Sequence, residues 1–153
     1  MDFPMKKNYP DMRILDETDK YFIGHIFEDA YLIDKRNGEE IVHDDFYGDP
    51  SCGLISKNND WAIIAGEHLT IWRAGKKTWL NRTGKGKITK IVIEDLGWVH
   101  SIRMTDNKVV EILIDPWSEN AAIWTLDIAT LHLRKAKNFD DYKGREYSDE
   151  IVW

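Results

Sequence analysis

Asn59-Asp60-Trp61-Ala62-Ile63-Ile64-Ala65-Gly66-Glu67-His68-Leu69-Thr70-Ile71-Trp72-Arg73 reads as a β-hairpin. Two runs rich in β-branched and aromatic residues flank Gly66-Glu67, and glycine at the first corner of a two-residue turn takes a positive φ at no steric cost. That turn predicts a register with Ala65 opposite His68, Ile64 opposite Leu69, Ile63 opposite Thr70, Ala62 opposite Ile71 and Trp61 opposite Trp72. One face, made of Ala62, Ile64, Leu69 and Ile71, is then wholly apolar and must be covered by other parts of the chain. The opposite face mixes Trp61, Ile63 and Trp72 with Thr70 and His68. The hairpin is therefore expected inside a sheet.

Toward the N-terminus, Arg13-Ile14-Leu15 and Tyr21–Phe27 read as strands, and Gly24 inside the second predicts a bulge or a close backbone approach. Ala30–Asp34 and Glu39–His43 follow, joined through Lys35-Arg36-Asn37-Gly38, whose Asn-Gly favours a type I′ turn. Asp44–Ser51 is a loop that sets Phe46 and Tyr47 among Asp44, Asp45 and Asp49. Those aromatics are either a lid over the core or contact residues.

Toward the C-terminus, Lys76–Lys87 forms an irregular basic connection carrying Trp79, and Ile88–Glu94 is a strand. Asp95-Leu96-Gly97 turns into Trp98–Met104, and a turn at Asp106-Asn107 leads to Val109–Ile114. The predicted register there pairs Val99 with Ile114, Ser101 with Ile112 and Arg103 with Val110. Ala121–Ile128 and Thr130–Arg134 read as two more strands, with a helix from Glu119 to Lys135 as the competing assignment. Runs separated by turn signals every eight to twelve residues point to an all-β, mainly antiparallel chain. The expected architecture is one β-sandwich or barrel of about ten strands, with a short helix near the C-terminus as the variant. The domain spans residues 1–153, with a leader over 1–12 and a polar tail over 136–153 as its loosely packed ends. No internal repeat is evident.

The 153 residues carry a net charge of -6, unevenly placed. Residues 1–60 have a net charge of -7, residues 61–100 of +4 and residues 101–153 of -3. Glu28, Asp29, Asp34, Glu39, Glu40, Asp44, Asp45 and Asp49 stand against Lys35 and Arg36 alone. Arg73 to Lys90 holds seven cations and no acid. Such segregation steers encounter with oppositely charged partners, although charge runs also serve solubility. No apolar run is long enough for a membrane span, and the start has no apolar segment of a secretory signal, so the expectation is a cytoplasmic protein without membrane contact. One cysteine, Cys52, agrees with a reducing compartment.

No catalytic signature emerges, and the expectation is a protein that is not an enzyme. The five histidines, His25, His43, His68, His100 and His132, lack metal-ligand spacing, and His43-Asp44-Asp45 is the nearest to a local cation contact. Neither a metal nor a cofactor is expected. Cys52 has acidic neighbours, the wrong sign for a thiolate nucleophile. Thr83-Gly84-Lys85-Gly86-Lys87 lacks the glycine-to-lysine interval of a phosphate loop. Direct nucleic-acid binding is opposed by the acidic balance. Seven tryptophans leave room for a carbohydrate or small-ligand binding module, and an enzyme would require a cleft joining His100 or His132 to carboxylates.

The whole-chain character, small, acidic, all-β and without chemistry of its own, together with Gly53–Trp72 ("GLISKNNDWAIIAGEHLTIW"), resembles a bacterial immunity protein of a contact-dependent growth inhibition or related polymorphic toxin system. The resemblance implies binding, as a 1:1 heterodimer, to a cognate toxin C-terminal domain, often a nuclease. An acidic surface suits the basic active site of such an enzyme. The candidate contact residues are Glu28, Asp29, Asp34, Glu39, Glu40, Asp44, Asp45 and Asp49 for steering and ion pairs, with Phe46 and Tyr47 as anchors.

Overall fold

The computed structural model describes residues 11–82, 84–92, 97–148 and 150–153. Residues 1–10 of the expected 1–12 leader, the strand end at 93–94 and most of the turn at 95–97 lie outside them. The chain is all-β. Among the described residues, twelve strands form three four-stranded antiparallel sheets, each a simple meander. The first sheet holds β1 (Arg13–Glu17), β2 (Tyr21–Ile26), β3 (Asp29–Asp34) and β4 (Glu40–Asp45). The second holds β5 (Cys52–Ile55), β6 (Trp61–Ala65), β7 (Leu69–Arg73) and β8 (Lys87–Ile91). The third holds β9 (Val99–Asp106), β10 (Val109–Ile114), β11 (Ala122–Asp127) and β12 (Leu133–Asn138). There is no helix among the described residues, so the helical assignment of 119–135 gives way to strands. The cause is pairing: all six residues of β11 face β10, from Val109 opposite Asp127 to Ile114 opposite Ala122.

The chain divides into two compact units, Met1–Val92 and Ile93–Trp153. In the first, the inner faces of two sheets share one core. Ile23, Ala30, Leu32 and Val42 of the first sheet pack with Ile55, Ala62, Ile64 and Trp72 of the second, and Phe46 joins them. Phe22, Tyr31 and Ile33 fill the other face of the first sheet, with Met12 against them. In the second unit, Leu113, Ala121, Ile123 and Phe139 make a core that Tyr142, Ile151 and Trp153 cover. The tail is thus clipped back by its aromatics: the Val152 N–H donates to Tyr142 Oη (3.0 Å), and the Arg103 guanidinium lies 4.1 Å over the Trp153 ring. The meander plan recurs three times without visible sequence self-similarity. In each sheet the second strand is largely buried and the fourth is the more exposed.

The central hairpin exists, but its register is one residue away from the predicted one. Ala65 faces Leu69, Ile64 faces Thr70, Ile63 faces Ile71, Ala62 faces Trp72 and Trp61 faces Arg73. The loop has three residues, Gly66, Glu67 and His68, closed by the Gly66 N–H to the His68 carbonyl (3.0 Å). Gly66 is not among the residues with positive φ; its value lies in space. A Cβ there would sit 3.1 Å from Phe46 and 3.2 Å from the Pro50 backbone, where the 44–51 loop crosses it. Both faces of the hairpin are buried, so hydrophobic pattern alone could not choose between registers.

Two smaller turns show the same competition. At Asn37-Gly38 only Gly38 has a positive φ (76°), so the turn is not type I′. The connection is longer, closed by the Asp34 N–H to the Glu39 carbonyl (2.9 Å) and the Gly38 N–H to the Asp34 carbonyl (2.8 Å). In β9–β10 the Val99–Ile114 pair forms as expected, but a bulge shifts the interior, so that Arg103 faces Glu111 and Ser101 faces Leu113. The Arg103–Glu111 ion pair (3.1 Å) favours that shift. Gly24 meets both expectations, for β1 slips register opposite it and a Cβ would fall 2.4 Å from Met12 Sδ.

Candidate functional site: an acidic end with two exposed aromatics

Strand alternation decides where the acids of β3 and β4 go. His43 and Asp45 point to one face of β4 and Asp44 to the other. Asp45 stands opposite Asp29, and His43 opposite Tyr31, on which it stacks with ring centroids 4.5 Å apart. His43 Nε2 lies 3.4 Å from Asp29 Oδ1 and 4.0 Å from Asp45 Oδ1. The hydrogen bond from Asp45 holds Asp29 below the ordinary carboxylate range, helped by His43, and the same bond, with the charge of Asp29, pushes Asp45 up. Ligand atoms of Asp29, His43 and Asp45 lie within 4.8 Å of one another, an arrangement that could hold a cation.

Asp44 turns the other way, into a buried network. His68, whose side chain is fully enclosed, places Nε2 2.7 Å from Asp44 Oδ2 and 3.0 Å from Thr70 Oγ1. Thr70 Oγ1–H donates to the same Asp44 oxygen, and His68 Nδ1 meets Glu67 Oε1. Burial pushes the Asp44 carboxyl up, but hydrogen bonds from Thr70 and His68 outweigh it and leave the group below its ordinary range. Phe46, 2 % exposed, lies flat on the His68 ring at 4.0 Å. This Thr–His–Asp set is a structural clamp. The hydroxyl donates to the carboxylate instead of to a base, and Phe46 seals the ring from any substrate.

The clamp fixes what lies above it. Phe46 is the lid, and the next residue, Tyr47, is thrown outward to 82 % exposure with its N–H on Glu67 Oε1 (3.2 Å). The Phe46 N–H donates to the Glu28 carbonyl (2.9 Å), tying this loop to the turn between β2 and β3. At that turn stands Phe27, 79 % exposed and at φ 50°, a left-handed backbone that a bulky residue rarely adopts. His25 Nδ1 holds the Phe27 carbonyl at 2.9 Å. Phe27 and Tyr47 thus project from adjoining connections among exposed Glu28, Asp45 and Asp49 and half-buried Asp29. Beside Phe27 opens a cleft of about 310 Å³ lined by Asp11, Arg13, His25, Ile26 and Asp49.

No family model matches the chain, and no curated protein matches it.

Of the ten candidate contact residues, Glu28, Asp29, Asp45, Tyr47 and Asp49 come together at this end. Glu39 and Glu40 are exposed around the far turn of the same sheet. Asp34, 5 % exposed, is held there by the Arg36 side chain (2.8 and 3.0 Å) and backbone N–H (2.9 Å). Asp44 and Phe46 are consumed by the clamp. Sequence reading placed Phe27 inside a strand and missed it; its signal was Phe27-Glu28 between two strands whose pairing, Ile26 with Asp29, leaves a two-residue corner.

Among the other candidates, His132 shares an open pocket of about 500 Å³ with Asp127, Thr130 and Arg134. His100 packs edge-on to Trp117 (5.3 Å), and burial lowers its pKa. His132 is exposed beside Asp127, whose carboxylate caps its own turn through the Thr130 N–H (3.1 Å). Of the seven tryptophans, Trp61 and Trp72 are buried, Trp98, Trp117, Trp124 and Trp153 half-buried, and Trp79 exposed.

Proposed function

We propose that this chain is an immunity protein that neutralises a cognate toxin domain of the nuclease class by laying its acidic end over the toxin's basic active site. The observation that carries this reading is the pairing of two exposed aromatic side chains, Phe27 and Tyr47, with a ring of carboxylates on one end of a rigid two-sheet unit. Binding energy concentrates in a few aromatic or arginine anchors, each worth about 2 kcal/mol or more when truncated. Surrounding carboxylates raise the on-rate toward a cationic partner and exclude others. Phe27 fits the anchor role further, because a left-handed φ on a bulky residue costs stability and such strain concentrates where function demands it. The partner would be a single toxin domain, giving a 1:1 heterodimer without nucleic acid in the interface.

The test is capture from the native host with the wild-type chain as bait beside Phe27→Ser/Tyr47→Ser and Asp45→Asn/Asp49→Asn variants. Capture of a basic domain that both variants lose supports the reading, and capture that all three share removes this end from it.

The second reading, a carbohydrate or small-ligand module, has one observation in its favour. A groove of about 470 Å³ joins Tyr21 and Trp72 to Asp34, Arg36, Glu39 and Lys85, an aromatic floor with a polar rim. Titration with a glycan panel, read by fluorescence of the wild type and of Trp72→Phe, separates the two.

A further inference from the structure

The connection between β7 and β8 carries the opposite charge and a different apex. Its base is tied by the Ala74 N–H to the Asp60 carbonyl (2.8 Å). Its two limbs close where Gly75 meets the 84–86 backbone, a Cβ at Gly75 falling 2.2 Å from the Lys85 carbonyl oxygen. Thr78 and Asn81 exchange backbone hydrogen bonds (3.1 and 3.2 Å) across the tip, the Gly84 N–H donates to the Asn81 carbonyl (3.2 Å), and Asn81 Nδ2 donates to the Lys85 carbonyl (3.2 Å). Between Thr78 and Asn81 this frame presents Trp79 and Leu80, 81 % and 80 % exposed. Lys76, Lys77, Arg82 and Lys85 belong to the same connection and Lys87 opens β8, and no acid occurs from Arg73 to Val92.

We propose that this loop is a peripheral docking site for a bilayer surface carrying anionic lipid. Four features fit that occupant. The apex is a convex pair of adjacent apolar side chains, a shape that enters a deformable interface and would need a matching socket on a protein. Tryptophan is the side chain that partitions best at the headgroup boundary, and leucine beside it reaches the acyl region. Lys76, Lys77 and Arg82, exposed and close in sequence to the apex, supply charge that attracts lipid phosphates. A single-stranded nucleic acid would use the indole for stacking, but it has no use for Leu80 and needs a groove lined with cations. The contact is at the surface and involves no spanning segment. It stands independently of the immunity reading.

The test uses the full chain with vesicles of phosphatidylcholine alone and of phosphatidylcholine mixed with phosphatidylglycerol. Co-sedimentation is expected with the anionic vesicles only, lost at high salt, and quenching of tryptophan emission by lipid brominated in the acyl chain is expected for the wild type. Trp79→Ser/Leu80→Ser should weaken vesicle binding about tenfold or more, and Lys76→Glu/Lys77→Glu/Arg82→Glu about a hundredfold. All five positions are solvent-facing, and circular dichroism confirms that the variants stay folded. Equal binding to neutral vesicles, no binding to either, retained binding by the Trp79/Leu80 variant, absence of bromolipid quenching in the wild type, or tighter binding to a single-stranded oligonucleotide than to vesicles would each overturn the proposal.

Discussion

Replacing Asp44 with asparagine probes the clamp beneath the acidic end. Asp44 Oδ2 accepts from both His68 Nε2 (2.7 Å) and Thr70 Oγ1, and neither donor has access to water. Asparagine keeps the shape, and its one carbonyl oxygen can take the Oδ2 position and accept from both donors, but only as a neutral acceptor, while its NH2 then faces the Asp45 N–H that donates to Oδ1 (2.9 Å). Two charge-assisted bonds are therefore weakened and a third is lost. The expected cost at neutral pH is about 2 kcal/mol. The pH dependence follows from the lowered pKa of Asp44. Its carboxylate stabilises the fold fully above the unfolded value of about 3.9 and loses that contribution as pH falls through the lower folded value. Urea unfolding of wild type and Asp44→Asn should therefore diverge at neutral pH and converge in acid, below the folded pKa. Equal stability at neutral pH, or a gap that persists unchanged in acid, would refute the clamp.

Further outcomes follow from the same geometry. Phe46→Ala should destabilise the first unit by about 3–5 kcal/mol, because it empties a buried ring site, whereas Tyr47→Ala should change stability by less than about 0.5 kcal/mol and abolish partner capture; urea melts and pull-downs of the two variants separate lid from anchor. Phe27→Gly relieves a left-handed backbone and should hold or raise the melting temperature while weakening capture; a fall in melting temperature would mean that Phe27 serves the fold. Since Asp45 is pushed up by its hydrogen bond with Asp29 and by the charge of that carboxylate, a cationic partner favours the ionised pair. Affinity measured by calorimetry should thus fall as pH drops through the raised Asp45 value, with proton release on binding, and the Asp45→Asn variant should lose that slope.

The all-β architecture was legible because period-two alternation, β-branched runs and turn residues agree across most of the chain. Registers were less so. In the 61–73 hairpin both faces are buried, so hydrophobic pattern does not fix the register, and the observed one leaves His68 in the loop in contact with Asp44, 24 residues away. Gly66 looked like a turn glycine and is instead the place where Phe46 and Pro50 cross the hairpin, a contact no local pattern announces. The acidic end was half legible. Its charge was visible as composition, but alternation in β4 sends Asp44 inward and Asp45 outward, and pairing with β3 makes Asp29 the neighbour of Asp45. Phe27 escaped notice because a bulky residue at positive φ is what turn statistics advise against.

The most direct test of the immunity reading is growth of cells that express the toxin domain captured from the host, together with either the wild-type chain or the Phe27→Ser/Tyr47→Ser variant at equal soluble levels. The expected result is that wild type restores growth and the variant does not, with binding affinity falling in parallel. A captured domain that is harmless when expressed alone, or rescue by the variant equal to that by wild type, would contradict it.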